Sequence, residues 1–276
     1  MNEKLYENSA KTAPLPKAFV ERRLHSLTGF FLVLFLFEHL LVNSQAALFF
    51  GEDGSGFINA VNSIQSLPYL PVIEISLLGV PIVLHGWWGL QYLRGAQYNS
   101  MKSNGTTPSL NDLPRNHAYT WQRITSVILV VGILLHVGYM RFLKYPETIK
   151  EVQKTTYIVR VHNDPGLASL SKRLGVVLRD PQLQDGKVLV ETDSFGTAVL
   201  LSVRDAFQSV FVCILYTIFV AAACFHAMNG VWTFAISWGV ALSERSRCIV
   251  RRISNWIMYL IFFFGLMAIW GTYFTS

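Results

Sequence analysis

Four of the seven histidines, His39, His85, His136 and His226, each fall in a different long apolar stretch. An imidazole placed in hydrocarbon can satisfy a packing hydrogen bond, relay a proton or give a nitrogen lone pair to a metal. For one such histidine the packing or relay role is the commoner. One on each of four successive apolar stretches points to a shared site, because ionisable groups in a bilayer are costly and mark function. The remaining three sit elsewhere: His117 and His162 in polar stretches, His25 at the start of the first apolar one.

The elements that carry these residues are long. Crossing about 30 Å of hydrocarbon takes roughly 20 helical residues, and residues 24–43, 72–93, 121–142, 206–238 and 253–274 meet that length. The expected fold is therefore an all-α membrane protein, a five-transmembrane-helix bundle. The fourth stretch is longer than needed and should tilt or extend into water. Composition agrees: 52% of residues are apolar and only 14% charged, where a soluble domain carries about a quarter.

A net charge of +6 would suit nucleic-acid binding, but in a membrane protein basic residues gather in loops on one side. Lys4, Lys11, Lys17, Arg22 and Arg23 precede the first span. Arg94, Lys102, Arg115 and Arg123 follow the second, and Arg245, Arg247, Arg251 and Arg252 follow the fourth. Between spans one and two there is no Lys or Arg. The positive-inside rule puts the N-terminus in the cytoplasm and the C-terminus outside, in a multi-pass cytoplasmic-membrane protein. The polar N-terminus and long first span give no sign of a cleaved signal. Cys213, Cys224 and Cys248 form no C-x-x-C pattern, so a disulfide framework, a zinc site and covalent haem attachment lack support.

The domain division expected is 1–142, 143–205 and 206–276, with the middle part an extracytoplasmic insertion. Alternation at 157–161 and 187–190, with turn signals at 163–166 and at Asp185-Gly186, predicts a small β-hairpin-like outer subdomain.

Depth sorts the histidines. At about 1.5 Å per residue, His39 and His136 each lie about 22 Å from the cytoplasmic start of their spans. Spans two and four run the other way; His85 is about 12 Å from the inner end, and His226 about 30 Å from the outer start. The result is an outer pair, His39 with His136, and an inner pair, His85 with His226. Two bis-histidine sites stacked across a bilayer suit two haem b groups working in electron transfer. A single four-histidine zinc or iron site is disfavoured by the depth difference. Gly89, Gly132 and Gly230, each one turn from a histidine, would let a flat macrocycle approach the backbone; the alternative use of such glycines is helix packing.

The ordered motifs resemble a known family. Arg22-Arg23-Leu24-His25-Ser26-Leu27-Thr28-Gly29, Glu38-His39-Leu40-Leu41-Val42-Asn43, Leu84-His85-Gly86, Trp121-Gln122-Arg123-Ile124-Thr125, His136-Val137 and the run from Phe225-His226 to Trp232 look like the dihaem cytochrome b membrane anchor of succinate dehydrogenases and fumarate reductases. The single-anchor, menaquinone-linked type is the most similar. The resemblance covers nearly the whole chain except 143–205. It implies two haem b groups, ligated from spans one and three (distal) and two and four (proximal). It also implies docking to a flavoprotein and an iron–sulfur subunit, with quinone, menaquinone in this type, as electron acceptor. No succinate-oxidising site is implied in this chain. Cys224 stands where some fumarate-reducing relatives have a glutamate linked to proton movement, so no proton pathway is carried over.

Haem propionates need cationic or hydrogen-bonding partners. His25, Ser26, Arg22, Arg23, Trp121 and Arg123 are the candidates, with topology and lipid headgroups the competing use of the arginines. Glu74, at the outer start of span two, and Glu38, beside His39, are candidates for a proton relay at a quinone site; a helix-terminal carboxylate is the plainer role for Glu74. Electrons moving outward from a negative interior gain roughly 2.3 kcal/mol per charge per 100 mV, which would favour an outer quinone site. Two other functions fit parts of the pattern: the dihaem anchor of another quinone-linked dehydrogenase, and a non-haem proton-coupled transporter.

Overall fold

The computed structural model describes residues 15–48, 52–96, 114–152, 154–179 and 186–275. Lys4, Lys11, Lys102 and Asp185 lie outside the described residues. Five helices are long and apolar enough to cross a membrane: Lys17–Ser44, Leu70–Arg94, Arg115–Leu143, Val210–Ser237 and Glu244–Phe274. They are spans one to five, and with a small sheet they bear out the expected fold class.

The sequence sets their ends and irregularities. Span five starts at a capping box in which Ser243 and Ser246 exchange side-chain and backbone hydrogen bonds, satisfying two of the donors every helix start leaves over. Span two contains Pro81, which has no N–H to give and whose ring crowds the carbonyl four residues back. The turn before it, Ile75–Gly79, is widened to a π-helix. Gly138–Leu143 of span three and Met267–Gly271 of span five are π-helical too. All three lie toward the same end of the bundle, the end that carries the sheet.

Spans one and four form the centre. Span one packs on two, four and five; span four packs on one, three and five; spans two and three touch each other little. Spans one to four thus make a square, with one opposite three and two opposite four. The seam between spans four and five is tight because Gly265 has no side chain: a Cβ there would meet Val220 Cγ1. Small residues of this kind let membrane helices approach where no hydrophobic effect drives them together.

Beyond the bundle lies a four-stranded antiparallel sheet in the order β1-β2-β4-β3 (Glu147–Lys150, Thr155–His162, Lys187–Thr192, Val177–Arg179). The sequence alternation located the central pair, in which Val159 faces Val190 and Val161 faces Val188. The hairpin reading is corrected in extent: β2 and β4 are not joined by a tight turn, since the helix Leu167–Leu174 and β3 intervene. The edge strands escaped notice because β1 is exposed throughout and β3 is three residues long.

The fourth span is corrected as well. Residues 206–238 do not form one helix. A helix Phe195–Ala206 ends first, Ser209 is extended, and span four begins at Val210. The expected start at Ala206 runs into the join because Ala206 and Phe207 are apolar, although Gln208 and Ser209 are not. Phe195–Ala206 is a roof between two cores: Ala198 and Leu201 pack on the sheet valines, while Leu200, Val203 and Phe207 pack toward the bundle with Phe57. Asn62, on the helix Ser55–Gln65, secures it by accepting from Gly196 N at 2.7 Å and donating to Ser194 Oγ at 3.1 Å.

Both buried charges on this roof have ion-pair partners. Arg204, 4% exposed, forks onto both oxygens of Asp164 at 2.6 and 2.7 Å. Asp205, 1% exposed, accepts from Lys144 and from the backbone N–H and Nδ1 of His162. Burial works to raise both carboxyls. The Arg204 hydrogen bond and charge overcome it at Asp164, and the Lys144 hydrogen bond with the His162 contacts overcome it at Asp205, so both lie below the ordinary carboxylate range.

Candidate functional site

The square of spans brings the four intramembrane histidines together as two diagonal pairs. His39 and His136, on spans one and three, have ring centroids 5.9 Å apart; His85 and His226, on spans two and four, are 6.2 Å apart. Each pair is close to perpendicular, at 81°. Among the described residues no three or more His, Cys, Asp or Glu side chains converge as a metal-ligand group.

These separations test whether the pairs fit a haem iron. A metal–imidazole bond is about 2.0 Å, so two imidazoles on opposite faces of one ion have centroids about 6 Å apart. Both pairs meet that spacing. The remaining ring nitrogens fit as well. An imidazole that ligates through one nitrogen is oriented by a hydrogen bond from the other. His85 Nδ1 donates to the His25 carbonyl at 3.0 Å, and His226 Nδ1 donates to the Gln122 carbonyl at 3.2 Å. His136 Nδ1 lies 3.2 Å from the Tyr216 hydroxyl and His39 Nδ1 lies 3.4 Å from the Asn43 side-chain amide. The carbonyl and hydroxyl acceptors thereby leave Nε2 of His85, His226 and His136 for a ligand, while Asn43 anchors the His39 turn by donating to the His39 carbonyl at 2.8 Å.

The surroundings of His85 and His226, toward the basic end, are the more closely built. The His25 ring stacks on His85 at 4.1 Å and 15°, and its buried Nε2 has no hydrogen-bond partner. Such an orphan suits a ligand oxygen, because burying a polar nitrogen without a partner costs about 1–3 kcal/mol. Gly29 is the close approach: a Cβ on it would lie 2.7 Å from His85 Cε1. Gln122 grips span four from three sides. Its carbonyl takes the His226 Nδ1–H, its Nε2 donates to the His226 carbonyl at 3.1 Å, and its Oε1 accepts from Asn229 at 2.8 Å.

The other sequence-derived candidates are placed as follows. Ser26 accepts a 2.9 Å bond from Trp238 Nε1, and Arg23 lies over the rings of Phe19 and Trp238. Arg123 is buried and lies over Tyr119, whereas Arg22 and Trp121 are exposed. Gly89 sits near His25, a Cβ there being 3.8 Å from His25 Nε2; Gly230 meets nothing within 4 Å. Gly132 instead receives the ring of Phe219, which packs against His136. Glu74 reaches Arg141 at 3.9 Å at the sheet end, and Glu38 is exposed on the bundle's flank. Gly29, Asn43, Gln122, Tyr216 and Phe219 were not singled out from the sequence. The first three do lie within the quoted motifs, and a polar residue one helical turn from a histidine was the available signal for Asn43.

Fold and site define a multi-pass helical membrane protein whose intramembrane histidines face one another in two pairs. No protein-family profile matches the chain. The chain is similar to the succinate dehydrogenase cytochrome b558 subunit of Bacillus subtilis (strain 168), with 24% identity over 260 residues, 92% of this chain and 97% of that protein. The resemblance to the cytochrome b anchor of succinate dehydrogenase, reached from the ordered motifs, is borne out by that likeness.

Proposed function

We propose that this chain is the haem-carrying membrane subunit of a succinate dehydrogenase complex, with two haem b groups held by His85–His226 and His39–His136. The observation that carries the reading is the pair of facing imidazoles, 6.2 and 5.9 Å apart, on opposite corners of one four-helix square. When bound, the two groups supply one-electron transfer along the membrane normal, from an iron–sulfur partner subunit toward a quinone.

The protein's own residues do the rest. Backbone carbonyls of His25 and Gln122 fix the imidazoles of His85 and His226, and His25 Nε2, Arg23 and Arg123 would hold propionate oxygens at the basic end. The basic end of the bundle is assigned to the cytoplasm by its excess of Lys and Arg, which is where the flavoprotein and iron–sulfur subunits would dock. The sheet end then faces outward, and quinone reduction is placed there, beside His39–His136. Glu74, paired with Arg141 at that end, and Glu38, beside His39, are the carboxylates for proton delivery.

Reduced-minus-oxidised spectra of the purified protein, followed by a redox titration, test this. Two b-type centres titrating as separate one-electron steps are expected; a preparation with no b-type absorption would remove the electron-transfer function altogether.

A further inference from the structure

At the basic end, a second cleft lies away from the histidine square, between spans three, four and five. It has a volume of about 190 Å³ and is walled by Arg115, Asn229, Trp232, Arg251 and Ser254, with Phe225 and Met258 at its far end. It is roomier than the single ordered water that commonly satisfies a buried polar group. Trp232 is 9% exposed, and its Nε1–H is buried with no hydrogen-bond partner. Ser254, 3% exposed, lies on the facing span.

The lining is mostly apolar, and its charged and indole groups are donors. Arg115 lies over the Trp232 ring, its guanidinium carbon 5.6 Å from the centroid. Neither Arg115 nor Arg251 has a carboxylate partner within ion-pair distance among the described residues, and both are exposed at the mouth. Two guanidinium groups and an indole N–H call for an acceptor that is anionic and rich in oxygen, and guanidinium forks suit phosphate. The cleft is also graded along the spans. Trp232 and Arg251 are each seven residues nearer the basic end than Phe225 and Met258, about 10 Å of helix. A charged mouth above an apolar floor, opening at a membrane surface, has the shape of an amphiphile's head and upper chain.

We infer that this cleft is a site for an anionic phospholipid. The phosphate sits between Arg115 and Arg251 and accepts from the Trp232 N–H, and the acyl chains run past Met258 and Phe225. A lipid there clamps span five to spans three and four. Asn229, on the cleft wall, also bonds Gln122, so the clamp adjoins the residue that holds His226. The site does not depend on haem occupancy.

The test uses the full-length protein in its purified complex, stripped of lipid by detergent exchange. Thermal unfolding is followed against dioctanoyl phosphatidylglycerol, dioctanoyl phosphatidylcholine and inorganic phosphate. Phosphatidylglycerol should raise the midpoint saturably, and the other two should not. Arg115→Gln with Arg251→Gln should abolish the response. Trp232→Phe, which removes the N–H with its five-membered ring and keeps a six-membered aromatic face for Arg115, should weaken the apparent affinity at least about ten-fold, the worth of one charge-assisted hydrogen bond. Should the arginine double variant fail to assemble, the Trp232→Phe titration decides alone. An equal response to phosphatidylcholine, an unchanged affinity in Trp232→Phe, or a response to inorganic phosphate matching that to lipid would overturn the assignment.

Discussion

The two histidine pairs have the same spacing and the same perpendicular rings, yet they are supported by different chemistry. The pair toward the basic end is held chiefly by main chain: His85 by the carbonyl of His25, His226 by the carbonyl of Gln122, with the Thr125 hydroxyl a longer 3.4 Å from His226 Nδ1. The pair toward the sheet end is approached by side chains, the Tyr216 hydroxyl and the Asn43 amide. A backbone acceptor cannot be removed by substitution, so the inner imidazoles are oriented by how the helices pack. The outer ones are adjustable one side chain at a time. The ends differ in cover too, since the sheet and its roof helix close the outer end with paired buried charges.

The largest effect should come from the ligands themselves. His85→Ala and His226→Ala should each abolish the same b-type centre and leave the other, while His39→Ala and His136→Ala should remove the second. Difference spectra with redox titration read this directly. Loss of both centres from either inner substitution would break the comparison, because it would mean that the pairs are not independent.

Next comes the cover of the sheet end. Asp164→Asn leaves the buried Arg204 uncompensated and should destabilise the sheet and roof by about 3 kcal/mol, seen as faster amide exchange there. Acid should do the same. Asp164 and Asp205 have folded-state values below the ordinary one, so their contribution is complete above about pH 3.9 and is lost as pH falls through the depressed values. Exchange of the sheet amides should rise in that window while the spans stay protected. Spans that open at the same pH would show the roof and bundle to be one unit.

Packing around the inner pair should be the next most sensitive. Gly29→Ala puts a methyl 2.7 Å from His85 Cε1, a clash of the kind that costs about 1–3 kcal/mol. Haem affinity of the inner site should fall about ten-fold, with the outer site unchanged. Equal loss at both sites would point to general misfolding instead.

The smallest effect sharpens the contrast. Tyr216→Phe removes a hydroxyl that takes the His136 Nδ1–H when Nε2 is the ligand. Losing one such bond weakens the imidazole as a donor to the oxidised iron and should raise the outer midpoint potential by about 40 mV. No inner potential should move. A shift in both would place Tyr216 in a shared network.

Much of this was legible in the chain. A bilayer demands about 20 apolar residues per helix, so the spans show as blocks. Helix rise then converts a residue's position into a depth. The motif order around the histidines carried the family resemblance. Most second contacts were not legible, because they come from neighbouring helices: Gln122 lies 104 residues from His226, and Tyr216 lies 80 from His136, whereas Asn43 is one turn from His39 on the same helix. The break at Phe207–Ser209 was hidden for another reason. Ala206 and Phe207 are apolar, and hydropathy does not tell an aromatic packed on a protein core from one facing lipid.

Sequence by itself determined that there are five spans, that four of them carry a histidine well inside the apolar stretch, and that these fall at two depths. Those properties follow from composition and from distance along a helix axis. Tertiary structure alone decided which imidazoles face each other, what holds each Nδ1 and where Trp232 meets the two arginines. Depth is set by a residue's place within its own helix, whereas facing and contact depend on how each helix is turned toward its neighbours, and only packing fixes that.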